Sequence, residues 1–203
     1  MALTYPLSLP TTKAPQQVRL TAINTVGIAR SPFTHAMQVQ EFSGQSWSAE
    51  VSFPMMTREE AEAFNVFILA LMGQKGTFLL GDPLAKIPRG LASGNPLVNG
   101  ANQIGNTLIT DGWTASISGI LLAGDYIQIN NRLYKVLQDV TSDGSGNATL
   151  EIWPRLAASP ADNEYIVTYD CKGVFRLAEN VTPIYEANEE RFYSINFSAI
   201  EAK

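Results

Sequence analysis

The sequence is poor in charge, in cysteine and in histidine, and each shortage narrows what the protein can be. Charged residues make up 16% of its 203 residues, against about a quarter in an average globular domain. So little charge is typical of a surface that is partly covered by neighbouring proteins. The longest apolar run, Val66–Met72, is far too short to cross a bilayer. We therefore expect no membrane insertion.

The single Cys171 and single His35 limit the chemistry that the chain can perform. One cysteine cannot form an intrachain disulfide, and a metal site usually needs two or more His or Cys ligands. A catalytic thiol usually has a histidine beside it, and nothing in the sequence places His35 near Cys171. Cys171 is predicted to be a small buried apolar residue. We expect no catalytic residue, metal ligand or cofactor, and no enzymatic activity.

One further sequence feature resembles a metal site but is better explained as a turn. Asp143, Ser145 and Asn147 match the start of a calcium loop, but the twelfth position is Pro154 where that loop needs a glutamate. A polar hairpin turn is the favoured interpretation.

The net charge is −5 and the 14 basic residues are scattered, so the chain lacks the basic patch that nucleic-acid binding requires.

One short helix is predicted over Thr57–Met72. Thr57 and Glu60 form a capping box at its start, and Gly73 is the expected stop at its end. One face is apolar at helical spacing, with Phe64, Phe67, Ile68 and Leu71. Three more apolar residues lie off that face, namely Val66, Leu69 and Met72. The helix is therefore predicted to be either sealed inside the core or packed on an adjacent subunit, with these three as candidate interface residues.

Most of the remaining sequence has the period-two alternation of β-strands. The clearest case is Trp47, Ala49, Val51 and Phe53, and residues 36–53 are predicted to form a hairpin with its turn at 42–46. Residues 76–83 form a short apolar strand. The alternation over 193–199 is of the same kind as that over 47–53, so the last strand is predicted to return to the first sheet.

The middle of the chain has a different character. Residues 85–106 are rich in Pro, Gly and Asn and are predicted to be a linker. Short strands follow, with turns at Asn130-Asn131 and at 142–147, a strand ended by Pro154, and a strand over 165–169. This pattern predicts a small barrel or sandwich. The fold expected is mainly β with one helix, with a first domain over 1–90 plus 172–203 and an inserted domain over 91–171.

Aromatic residues leave one alternative open. Several lie in or near the middle block and could include a sugar-stacking platform, although most aromatics belong to cores. They are Trp47, Trp113, Trp153, Tyr126, Tyr134, Tyr165 and Tyr169. A lectin-like, carbohydrate-binding module is the alternative function that they favour.

Several sequence stretches, in the expected order, resemble the distal tail proteins of long-tailed, siphovirus-like bacteriophages. In the first half they are Gln45-Ser-Trp-Ser-Ala-Glu-Val-Ser-Phe-Pro54, then residues 56–64, then Gly76-Thr-Phe-Leu-Leu-Gly-Asp-Pro83. In the middle they run from Leu122-Ala-Gly-Asp-Tyr-Ile-Gln-Ile129 through residues 140–155. Together these stretches cover roughly half of the chain.

The resemblance implies a structural virion protein without catalytic residues. It implies a tail-tube-like β-sandwich or barrel domain that carries an inserted small β-barrel or galectin-like domain. Six copies would form a ring at the distal end of the tail, between the tail tube protein and the tip hub protein, with receptor-binding proteins as further partners. The protein would be made in the host bacterial cytoplasm and would reside in the virion, at the tail tip or baseplate.

Overall fold

A computed structural model describes residues 3–181, 185–187 and 192–202. The fold is mainly β, with 43% of residues in strands and one short helix. Among the described residues, the elements in chain order are β1 (Leu7–Ser8), β2 (Gln17–Ile23), β3 (Val26–Arg30), β4 (Met37–Glu41), β5 (Ser46–Ser52), α1 (Arg58–Leu71), β6 (Phe78–Leu80), β7 (Gly94–Val98), β8 (Gly105–Trp113), β9 (Ser118–Leu121), β10 (Tyr126–Ile129), β11 (Arg132–Val136), β12 (Val140–Thr141), β13 (Ala148–Leu156), β14 (Gly173–Leu177), β15 (Glu186–Ala187), β16 (Tyr193–Ser194) and β17 (Asn196–Glu201).

The first sheet has six strands in the order β1-β6-β14-β17-β5-β2. Its strands alternate because one face packs on α1 and the other faces outward. Trp47, Ala49 and Val51 of β5 are buried, whereas Glu50 is exposed. The predicted return of the last strand is confirmed, since β17 pairs antiparallel with β5, with Phe197 opposite Val51. Strands from both ends of the chain therefore build one sheet.

The predicted helix is confirmed to within one residue at each end. Thr57 is the N-cap. Its backbone N–H and its hydroxyl donate hydrogen bonds to the Glu60 carboxylate, at 3.0 and 3.3 Å. The helix ends one residue earlier than expected, because Met72 already has a left-handed conformation at φ 51° as the C-cap, and Gly73 follows at φ 69°. The face predicted to be apolar, which includes Phe64 and Leu71, is buried against the sheet.

The predicted hairpin over residues 36–53 is wrong. β4 pairs with β3, and β5 pairs with β2. The turn that reverses the chain lies at residues 31–36, where the Ser31 hydroxyl oxygen accepts hydrogen bonds from the backbone N–H groups of Phe33 and Thr34. The alternation of Met37 and Val39 indicates a strand, but it does not say which strand is its partner.

Strands β2, β3, β4 and β5 instead form one long two-stranded ribbon, in which the β2–β5 pairing is interrupted before the β3–β4 pairing begins. Two residues separate β2 from β3 on the outward path, whereas four residues separate β4 from β5 on the return path. Extra residues on one side of a ladder bend it and increase its twist. The distal half, β3 and β4, consequently leaves the six-stranded sheet and forms a separate two-stranded sheet.

The second sheet has the order β10-β11-β13-β8-β7 and surrounds a separate apolar core. Asn130 and Asn131 both have positive φ and form the predicted two-residue turn between β10 and β11. The segment around Ile166 makes backbone hydrogen bonds to β7 and to β10, the two edges of this sheet. Little of either edge is left open as a result.

Three details of the middle block differ from the prediction. The predicted linker contains a strand, β7, because Pro96 and Leu97 supply a short β-run between glycines. β13 continues through Pro154, although the sequence predicts that the strand ends there. Its pairing with β8 is irregular at this point, so the N–H that proline lacks interrupts no ladder. Residues 165–169 form isolated bridges rather than a strand.

The two cores touch through residues that sequence reasoning had placed apart. Tyr126, Leu133 and Cys171 belong to the core under the first sheet. The Trp47 indole N–H donates to the Leu133 carbonyl at 2.9 Å, and the rings of Trp47 and Trp153 meet edge to face at 4.4 Å. No helix among the described residues is long and apolar enough to span a membrane.

Candidate subunit interface

The outer helix face, defined as Val66, Leu69 and Met72, is uncovered. These side chains are 62%, 58% and 57% exposed, although the opposite face of α1 is sealed against the sheet. Their exposure argues against the alternative in which they lie inside the chain's own core. A neighbouring subunit as their cover stays a prediction.

Acidic residues lie beside the outer helix face on its N-terminal side. At 3.6 residues per turn, Glu59 and Glu62 share the side of α1 that carries Val66. Glu62 accepts a 3.4 Å contact from Arg58, whereas Glu59 has no ion pair within the described part of the chain. Lys75 is exposed just beyond the C-terminal end. Arg58 lies on the same side of α1, because the 11 residues from Arg58 to Leu69 make about three turns. The N-terminal end of the face therefore has both signs of charge, with Glu59 as its carboxylate that lacks an ion pair among the described residues.

A second uncovered apolar surface lies on the distal hairpin, defined as β3, β4 and the turn between them. Val26 pairs with Glu41, Ile28 with Val39, and Arg30 with Met37, and directly paired residues point to the same face of a ladder. The apolar hairpin face is thus Val26, Ile28, Met37 and Val39, which are 46–69% exposed.

Sequence reasoning missed this surface. The sequence pattern predicts a different hairpin for Met37 and Val39, and it does not single out Val26 and Ile28. The available signal was a pair of short alternating runs on either side of Ser31-Pro32. Two alternating runs joined by turn residues predict a hairpin, but they do not predict that it leaves the sheet.

Cys171 and His35 are not placed as a nucleophile and its base. The Cys171 thiol is buried and contacts the carbonyl oxygens of Tyr126 and Val167 at 3.3 Å. Burial, reinforced by the negative charges of Asp170 and Asp125, raises the pKa of this thiol to about 12. His35 lies in the exposed turn of the distal hairpin.

The candidate calcium loop is a hydrogen-bonded turn. One carboxylate oxygen of Asp143 accepts the backbone N–H groups of Ser145 and Asn147 at 2.8 and 2.9 Å, and the other accepts the Asn147 side-chain amide at 3.0 Å. The hydrogen bond from the Asn147 side-chain amide contributes most to lowering the pKa of Asp143, and the hydrogen bonds from the backbone contribute next. The described residues contain no group of three or more His, Cys, Asp or Glu that could hold a metal ion.

The aromatic residues do not form one exposed platform. Trp47, Trp113, Tyr126 and Tyr134 are buried in the two cores, and Trp153 packs against the first. Tyr165 and Tyr169 are the two members of the set that are exposed. Most of this set therefore serves packing.

The fold and these surfaces define a mainly-β chain that exposes an apolar helix face and an apolar hairpin. A scan against protein-family models gives no match for this chain, and neither does a search of curated proteins.

Proposed function

We propose that the protein is a structural subunit of a phage tail tip. In this proposal, copies of the chain form a closed ring, with six members, at the distal end of the tail. The ring joins the tail tube to the hub and the receptor-binding apparatus. The observation that carries the self-association is the exposed outer helix face, Val66, Leu69 and Met72, on a helix whose opposite face is buried against the sheet.

Three further features support the proposal. The sequence stretches that resemble distal tail proteins fall on β5, α1, β6 and the β10–β13 region, all of which are well-formed elements. The mainly-β fold with one flanking helix is of the expected class. The low charged fraction suits a chain with large covered surfaces.

The proposal includes the domain division expected from the sequence. Residues 91–171 are an insertion between β6 and β14 of the ring-forming domain, which consists of 1–90 and 172–203. The pairing of β6 with β14 supports this division, because residues 79 and 174 are neighbours across that ladder although the whole second sheet lies between them in sequence. We expect the inserted part to fold as a small barrel or galectin-like sandwich.

Electron microscopy of the purified chain mixed with isolated tail tubes tests the assignment. Ring-shaped particles that cap one end of the tubes are expected. Tubes that stay uncapped at saturating protein, together with an absence of free rings, would contradict it. The Leu69→Asp variant is the control, because it removes apolar surface without touching the core and should abolish capping.

A carbohydrate-binding module of a tail adhesin is the second candidate function. Tyr165 and Tyr169 favour it, because they expose aromatic rings on the segment that bridges the edge strands β7 and β10 through backbone pairing. Titration with host polysaccharide should then give binding that Tyr165→Ala and Tyr169→Ala remove together. No binding at millimolar sugar would eliminate this candidate.

A further inference from the structure

The distal hairpin has no partner strand among the residues that the structure describes. Its two strands form ten residues of ladder that pair with no other described strand. A lone two-stranded hairpin is marginally stable in water at best, and this one also exposes apolar side chains on one face. A surface of this kind is expected to be covered in the assembled protein.

Charge follows a fixed order along that face. Arg30 lies at the tip end of the hairpin face, and Glu41 lies at its base, on the same side as Ile28 and Val39. The Glu41 carboxylate is held by the Gln45 amide at 3.3 Å, whereas Arg30 has no ion-pair partner among the residues that the structure describes. The hairpin face therefore runs from basic through apolar to acidic.

The outer helix face has a carboxylate near its N-terminal end and a length similar to that of the hairpin face. Glu59 lies beside Val66 and has no ion pair among the described residues, whereas Glu62 contacts Arg58. Ten residues from Glu62 to Met72 span about 15 Å at 1.5 Å per residue. Four residues from Arg30 to Val26 span about 13 Å in a strand. The two faces are thus both apolar and similar in length, and Arg30 of the hairpin and Glu59 of the helix have opposite charges.

We propose that the hairpin face of one copy of this chain packs on the outer helix face of the next copy. The hairpin tip then points toward the N-terminal end of α1, and Arg30 lies against Glu59 and Glu62. This inference rests on the self-association in the proposed function and names its two surfaces. Because the surfaces differ, the contact is head to tail and can repeat around a ring.

Pairing two hairpins with each other is the main rival arrangement. A two-fold hairpin pair also brings Arg30 near Glu41, but it stops at a dimer and leaves the outer helix face of both copies exposed. The head-to-tail contact covers both apolar surfaces with a single repeated interaction. The two arrangements make different predictions for cysteine cross-linking.

Two single-cysteine additions, Ile28→Cys and Leu69→Cys, test the contact. Each protein is oxidised alone and in an equal mixture, and covalent dimers are read on a non-reducing gel. The native Cys171 is buried, so the unsubstituted chain is the background control. Gln38→Cys is the matched control, because Gln38 lies on the same hairpin but on its opposite face. Head-to-tail packing predicts dimers in the Ile28→Cys and Leu69→Cys mixture, with little product from either alone or from Gln38→Cys mixed with Leu69→Cys.

Three results would overturn the inference. Strong cross-linking of Ile28→Cys alone would indicate hairpin pairing. A mixture without cross-links, in a protein whose native chain still forms oligomers, would reject these two surfaces while leaving the ring intact. A native chain that stays monomeric at high concentration would reject the inference and the proposed function together.

A charge exchange gives a second, independent readout. Arg30→Glu should weaken self-association by about tenfold or more, because it places like charges together. Adding Glu59→Arg and Glu62→Arg to that variant should restore association. Failure of restoration, with all variants folded by circular dichroism, would count against the proposed orientation.

Discussion

At the residue scale, a few polar side chains fix how the two cores meet. Arg132 of β11 donates to one oxygen of the Glu201 carboxylate at 2.8 Å, and the other oxygen accepts the Trp47 backbone N–H at 3.1 Å. The Glu201 side chain is 1% exposed. A buried carboxylate must keep its partners, because an unpaired buried charge is strongly destabilising.

Breaking this ion pair on one side should be more damaging than neutralising both sides. Arg132→Met is expected to cost about 3–5 kcal/mol of unfolding free energy, because it leaves Glu201 buried and unpaired. Adding Glu201→Gln keeps an acceptor for the Trp47 N–H and removes the charge. The double variant should therefore be less destabilised than the sum of the two singles, by about 1–3 kcal/mol in a urea-unfolding cycle. Simple additivity would show that the pair contributes little.

The Cys171 thiol should be inert in the folded protein. Its pKa of about 12 leaves almost no thiolate at pH 8, and the thiolate is the reactive form. A thiol reagent should label Cys171 only after denaturant is added. Rapid labelling of the native chain would show that the thiol is more accessible than this structure indicates.

The same raised pKa has a consequence for stability. The folded state holds the thiol proton more tightly than the unfolded state, whose ordinary pKa is 9.0. The contribution is fully present below about pH 9 and is lost as the pH rises toward 12. The slope of stability against pH in that range should become shallower in Cys171→Ala than in the native chain, and an identical slope would contradict this cause.

At the element scale, α1 has one face that folds the chain and one that does not. Phe64 and Leu71 are fully buried, whereas Val66 is exposed on the same helix. Phe64→Ala should cost about 3–5 kcal/mol through lost burial and a cavity. Val66→Ala should stay within about 0.5 kcal/mol in dilute solution, where contacts between chains do not contribute. Equal costs in urea unfolding would show that the two faces are not distinct.

The distal hairpin should be dispensable for folding of the isolated chain. Replacing residues 27–40 with Asn-Gly joins Val26 to Glu41 by a two-residue turn that suits a tight hairpin. Because β3 and β4 contribute no residue to either core, the urea midpoint of the dilute chain should change little. A large loss of stability would mean that the hairpin packs on its own chain.

The elements predicted well from sequence are those specified by local residues. The α1 boundaries depend on Thr57, Glu60 and the end of an apolar periodicity, all within the helix itself. The Asn130-Asn131 turn is equally local, because asparagine tolerates the positive φ that the turn needs. The pairing of β4 was wrong because strand partners depend on distant geometry, which alternation does not encode.

The candidate site was predicted in part for the same reason. Val66, Leu69 and Met72 are recognisable because they break the amphipathic pattern of a well-bounded helix. The hairpin face was missed, because nothing in 26–41 distinguishes a strand that projects from one that joins the sheet. The contact of Trp47 with Leu133, 86 residues apart, was equally beyond a reading of local patterns.

At the scale of the whole molecule, the exposed apolar surfaces are expected to be contacts within an assembly. Leu69→Asp should then yield a folded chain that does not associate, because Leu69 belongs to neither core of the described part of the chain. Circular dichroism should match the native protein, and sedimentation should give a monomer. An unfolded variant would contradict the assignment of Leu69 to an interface.

The most direct test of the central claim is the native mass of the purified protein. A closed ring predicts a particle of six copies of the 22.1 kDa chain, and its mass should stay constant on dilution until the ring dissociates. A stable monomer at high concentration would contradict the proposed function.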